Sequence, residues 1–192
     1  MKRFVILIVV FLMVVVNIYS QTEERRRGFY IDMGFGFGGI NYLGDTNDFV
    51  DTLKEDASIR MTLDLDMITI GWALTQNLYL VGTVAGAGDG FFDSSFNQSQ
   101  INTYLFGIGT RFYPLKKYLQ LGLDLGLSKG ITLYNKKIYV TENGFGGKLS
   151  VGYDFDSTMT GFSSIVGGSF MYSLIENESI LSYMAFIKIV FK

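Results

Sequence analysis

The chain has 192 residues, a formal net charge of −2, and neither cysteine nor histidine. Without cysteine there is no disulfide framework and no thiol to acylate. Without histidine the Ser-His-Asp and Cys-His arrangements and imidazole metal sites are excluded together, and the near-neutral charge gives no basic face for nucleic acid.

Lys2 and Arg3 precede an apolar run from Phe4 to Val16, which ends at Asn17-Ile18-Tyr19-Ser20. As a helix the run would be about 20 Å long, short for a membrane span. Residues 1–20 therefore read as a secretory signal peptide cut after Ser20, and residues 21–192 as one exported domain. Arg25, Arg26 and Arg27 are unfavourable for export, with an uncleaved anchor as the alternative, and Glu23 and Glu24 partly offset them.

Beyond Ser20 the hydrophobicity is spread by alternation rather than by runs, in a sequence that is 48% hydrophobic and 16% aromatic with 23 glycines and one proline. Eight segments have the length of a tilted transmembrane strand. The first is Phe29–Ile40, with Phe29, Ile31, Met33, Phe35 and Phe37 opposite Tyr30, Asp32 and glycines. The second, Ile59–Leu74, alternates on odd numbers to Met67 and on even numbers from Ile68 to Trp72, a slip of the kind a β-bulge produces. The third, Leu78–Gly88, is ambiguous in phase, and the fourth is Asn102–Tyr113. The fifth is the clearest: Leu119, Leu121, Leu123, Leu125 and Leu127 alternate with Gln120, Gly122, Asp124, Gly126 and Ser128, so one face is hydrocarbon and the other small or polar. Phe145–Phe155, Phe162–Leu174 and Leu181–Phe191 complete the set.

Short turns at 75–77, 114–117 and 156–161 alternate with longer polar connections at 41–58, 89–101 and 129–144. The pattern predicts an all-β, eight-stranded antiparallel up-and-down transmembrane β-barrel, short turns on one side and both termini with them. Each segment places one aromatic beside the short-turn end, namely Phe29, Trp72, Tyr79, Phe112, Tyr118, Phe155, Phe162 and Phe191, the expected aromatic girdle. The apolar face belongs outside, because an eight-stranded interior is just wide enough for side chains and cannot hold that many large residues.

In this respect the chain resembles the small outer-membrane β-barrel family of the OmpA-barrel and OmpX type, over residues 28–192. The likeness rests on Met33-Gly34-Phe35-Gly36-Phe37-Gly38-Gly39, on Gly71-Trp72-Ala73-Leu74 before a short turn, and on the closing alternation Tyr183, Ala185, Ile187, Ile189, Phe191. That closing pattern looks like the signal read by the barrel-assembly machinery, although Lys192 follows the aromatic on which the family usually ends. The resemblance implies residence in outer-membrane lipid, contact with the assembly machinery, and a porin-like shape. Members serve as anchors, adhesins, pores or enzymes, so the fold does not name the function. The enzymes of this architecture use a histidine, so no catalytic activity and no cofactor are expected.

The formal G-x-G-x-x-G match at Gly34–Gly39 lacks a following helix and reads as glycines in a crowded wall. The acidic segment Asp45–Asp51 fails the EF-hand pattern and reads as a solvated loop, and the sequons at Asn97 and Asn177 are chance-level matches. Eight charges fall on the polar face: Asp32, Arg60, Asp64, Arg111, Asp124, Lys148, Asp154 and Lys188. Ions inside a narrow barrel must be paired, and matching depths predict Asp32–Lys188 and Asp124–Lys148 contacts. The expected function is structural or surface-binding, through the long connections, with the lumen plugged by ion pairs. The alternatives are a small pore or gated channel and a soluble periplasmic lipid-binding barrel.

Overall fold

The computed structural model describes residues 28–94, 98–114, 118–155 and 161–192. The expected leader at residues 1–20 and most of the turn after Phe155 lie outside the described residues. The elements in chain order are β1 (Phe29–Leu43), α1 (Asp45–Asp56), β2 (Ile59–Ala73), β3 (Leu78–Phe92), β4 (Gln98–Phe112), β5 (Leu119–Tyr134), β6 (Lys137–Val140), β7 (Gly144–Asp154), β8 (Phe162–Ile175) and β9 (Glu178–Phe191). Every pairing is antiparallel between chain neighbours except two, which close the ring: β1 with β9, and β5 with β7 past the short β6. The result is an eight-stranded up-and-down barrel, with β6 a projection of β5 above the rim.

The closing seam runs in unbroken register from Ile31 opposite Phe191 to Leu43 opposite Ser179. Glycine makes it possible at Gly39, where the Tyr183 ring lies over the backbone and leaves no room for a Cβ. The anticipated slip in the second segment is a register shift between Asp66 and Ile68, with Met67 as the extra residue. The same bulge shifts the register of β2 against its other neighbour, β1, between Asp32 and Gly34. Bulges of this kind increase local twist and help a small sheet to close.

Alternation determines what faces where. Leu121, Leu123, Leu125 and Leu127 are 39–57% exposed on the outside, whereas Gln120 and Asp124 are 1% exposed inside. Phenylalanine, leucine and isoleucine recur along the outer surface of the barrel, whereas the outward face of β3 is largely glycine with Leu80 exposed. A continuous exposed apolar belt of this size is unfavourable in water and is satisfied by hydrocarbon, with backbone groups paired around the ring. No helix among the described residues is long and apolar enough to cross a membrane, so a crossing by these residues is made by strands.

Three expectations are corrected. The strands run past their predicted ends on the side away from the termini: β3 and β4 stay paired from Asp89–Ile101 to Phe92–Gln98, leaving a short connection where a long one was expected. Wall that rises above the hydrocarbon need not alternate, so the sequence carries no signature of it. The segment Asp45–Asp51, read as a solvated loop, is part of α1, which runs from Asp45 to Asp56. This helix turns back over the mouth after Gly44, whose φ of 113° suits glycine, and buries Val50 and Leu53 among Ile40, Tyr42, Ala87, Phe91, Ile101 and Met184. Tyr79, assigned to the outer girdle, is 1% exposed and points inward. Cross-strand partners share a face, and Tyr79 is opposite Arg111, whose side chain is buried in the interior.

Candidate functional site

The polar interior is layered. Nearest the termini, Tyr30, Tyr79, Tyr113, Ile165, Phe186 and Val190 form an aromatic-rich cluster. The Gln120 amide ties this floor together by donating to the hydroxyls of Tyr30 at 3.0 Å and Tyr113 at 2.7 Å. Beside it Lys192, the residue after the closing strand, has a side chain with no exposure and pairs with Asp154, which also accepts from Ser163. Lys192 also exchanges backbone hydrogen bonds with Gly161, at 3.1 and 2.8 Å.

Above the floor is a charged layer. Arg111 donates from Nη1 to Asp124 Oδ1 at 2.7 Å, and its Nε lies 3.7 Å from Asp32 Oδ2. The Tyr30 hydroxyl donates to that same Asp32 oxygen at 2.6 Å. On the other side Lys148 reaches Asp64 at 2.9 Å and Asp66 at 2.8 Å, and Lys188 holds the second oxygen of Asp66 at 2.6 Å. Ser169 adds a bond to Asp64 at 3.0 Å. These seven ionic side chains are buried, four carboxylates against three cations. Removing such charges from water costs several kcal/mol each, offset only where the geometry supplies close partners.

The eight charges singled out from the sequence thus sit at three levels: Asp154 in the floor, Asp32, Asp64, Arg111, Asp124, Lys148 and Lys188 in the layer, and Arg60 at the mouth. The two expected contacts are not formed. Asp32 is opposite Val190 across the seam, and Lys188 is opposite Gly34, so shear offsets them; Lys188 turns to Asp66 and Asp32 to Arg111. Asp124 and Lys148 are direct partners in register, yet the long lysine stem crosses to the opposite wall, where Asp64 and Asp66 together offer more charge, while Arg111 takes Asp124.

Sequence reasoning missed several participants. Asp66 shares the face of Asp64 before the slip at Met67 and was readable from that parity. Lys192 was readable as the next inward position after Phe191. Asp89 was hidden by the ambiguous phase of β3; it receives a bidentate pair from Arg60, at 2.9 and 2.7 Å, and the Tyr42 hydroxyl at 3.1 Å.

Of the other aromatics at the short-turn end, Phe29, Trp72, Tyr118, Phe155, Phe162 and Phe191 are exposed outside, and Phe112 is half-buried. Phe29 and Trp72 meet edge to face at 5.7 Å, and Phe162 and Phe191 lie 5.0 Å apart.

The second concave feature is outside the barrel proper. A cleft of about 440 Å³ opens at the mouth between the end of α1, the β3–β4 hairpin and the β5–β6 turn. No group of three or more acidic side chains that could hold a metal ion occurs among the described residues.

No protein-family model matches the chain, and no curated protein matches its sequence. Solved structures do match. Ail, the attachment invasion locus protein of Yersinia pestis, superposes with a TM-score of 0.56 at 14% identity, over 86% of this chain and 99% of its own. Its complex with the heparin analogue sucrose octasulfate gives 0.55 at 14% identity, over 85% and 97%. Neisserial surface protein A gives 0.51 at 12% identity, over 87% and 99%. The chain therefore has the fold of the small eight-stranded outer-membrane barrels.

Proposed function

We propose that the chain is an outer-membrane barrel with a structural or surface-binding role, exercised at the rim that carries α1 and the β5–β6 hairpin, and that its lumen is closed to ions. The observation that carries this reading is the stacking of a buried charged layer beneath an apolar layer capped by α1. Lys148, Asp66 and Lys188 span the interior at contact distances, and Val50 and Leu53 seal the mouth above them. An ion crossing the barrel would have to displace paired charges and then pass a plug of hydrocarbon.

In this reading residues 1–20 are removed on export, and the closing alternation of β9 engages the barrel-assembly machinery. The exposed short-turn aromatics form a girdle at one interface, where amphipathic rings settle.

Planar-bilayer recording on refolded protein tests the proposal. Silence at all voltages is expected, alongside the heat-modifiable gel migration of a folded barrel. Discrete conductance steps from the purified chain would replace this reading with that of a small pore.

A further inference from the structure

The mouth cleft has a composition that selects among ligands. Its floor is apolar, made by Leu53 at the end of α1, Phe91 at the end of β3, and the ring of Tyr134. Its rim is polar: the carboxylates of Asp56 and Asp93, the amides of Gln98 and Asn135, and the ammonium of Lys136. Tyr134 packs edge to face against Phe49 at 5.2 Å, so its ring rests on the docked helix. Tyr134 pairs with Lys137 across a two-residue turn, and Asn135 and Lys136 both adopt left-handed φ values, 49° and 62°. That is the tight hairpin turn whose twist matches the strands it joins, so the turn's backbone sets where Asn135 stands at the rim.

At about 440 Å³ the cleft lies at the small end of ligand sites. A purely apolar ligand would desolvate the rim carboxylates and amides without replacing their hydrogen bonds. A sulfated, phosphorylated or carboxylated ligand would bring its negative charge up to carboxylates at the rim, that of Asp56 first among them. A ring with one C–H face and a periphery of hydroxyls has neither fault. Its C–H face lies on the negative face of an aromatic ring, and carboxylates and amides supply the acceptors and donors that hydroxyls need.

We infer that this cleft is a binding site for an uncharged sugar ring, one or two units at the end of a glycan. The inference rests on the surface-binding reading and specifies its ligand. It places recognition on α1 and the β5–β6 hairpin and assigns no part to the buried charges.

The test is binding of the full refolded chain, in detergent micelles, to an array bearing neutral disaccharides, sulfated disaccharides including sucrose octasulfate, and extracellular-matrix proteins. Tyr134→Ala and Gln98→Ala are run beside it, with heat-modifiable migration confirming that each variant is folded. Saturable binding to neutral disaccharides is expected, weakened about tenfold by Tyr134→Ala and about threefold by Gln98→Ala. Binding confined to sulfated sugars or matrix proteins and unchanged in both variants would overturn the sugar site while leaving a surface-binding role. No binding to any spot by the parent chain would remove both. If Tyr134→Ala does not fold, Gln98→Ala and Asn135→Ala decide, since both residues are exposed at the rim.

Discussion

Lys148 on β7 and Asp66 on β2 face each other across the interior, their Nζ and Oδ1 atoms 2.8 Å apart, although 82 residues separate them in sequence. Lys148 also holds Asp64, and Asp66 also holds Lys188, so one lysine links two walls of the barrel through a shared carboxylate. Truncating it leaves two buried carboxylates with one remaining cation between them. Lys148→Met is expected to destabilise the folded barrel by about 3–5 kcal/mol, the usual cost of stranding a buried charge. Urea unfolding in lipid vesicles measures it. Adding Asp64→Asn to Lys148→Met should recover part of that loss, because a neutral amide no longer needs the missing ammonium. Equal stability of Lys148→Met and the parent would show that the layer is solvated.

That pairing also marks what the sequence could reveal. Alternation is a local property, so the leucines from Leu119 to Leu127 were readable as an outer face, and the slip at Met67 as a bulge. Partner choice inside the barrel is a global property. It depends on shear, which offsets Lys188 from Asp32, and on stem length, which lets Lys148 ignore Asp124 beside it. Tyr79 was misplaced for a different reason: β3 has apolar residues on both faces, with Val81, Ala85 and Ala87 buried inside and Leu80 exposed outside, so parity there carried no information. The helix α1 was illegible because few of its residues are apolar, and a segment so short and acidic is not helical by propensity alone. The sugar cleft depends on that docking and was hidden with it.

The docking of α1 can be tested directly. Its apolar contact is confined to Phe49, Val50 and Leu53, and its first turn is tied to the barrel by Glu178, whose carboxylate accepts from the Thr46 backbone at 2.9 and 3.1 Å. Val50→Ser with Leu53→Ser should release the helix while leaving the β-ladders intact. Protease cutting between residues 44 and 58 should then accelerate by at least about tenfold, the change in local opening that a loss above 1.4 kcal/mol produces. Heat-modifiable migration should be retained. Loss of the folded band would instead mean that α1 is required for closure.

The closing residue makes a separate prediction. Lys192 is buried against Asp154 and lies over the Tyr113 ring at 5.2 Å. Lys192→Met should lower the temperature at which the compact gel band converts to the extended one, because buried Asp154 loses this ammonium while the Ser163 hydroxyl remains. Lys192→Met with Asp154→Asn should convert at a higher temperature than Lys192→Met alone. A shift in Lys192→Met that the second change does not reverse would assign the effect to lost packing of the lysine stem rather than to charge.

The single tryptophan reports the orientation of the wall. Trp72 is 64% exposed on the outer face at the short-turn end, against Phe29. If the exposed belt lies in hydrocarbon and the short-turn aromatics mark its edge, the indole sits at the boundary between headgroups and acyl chains. Refolding into vesicles should move its emission to shorter wavelength than in urea. Lipids brominated near the headgroup should quench it more strongly than lipids brominated at the chain ends, and aqueous iodide only weakly. The observation is clean because no other indole contributes. Full iodide quenching of folded, vesicle-bound protein, with no effect of brominated lipid, would place this end of the barrel in water and shift the membrane belt toward the mouth.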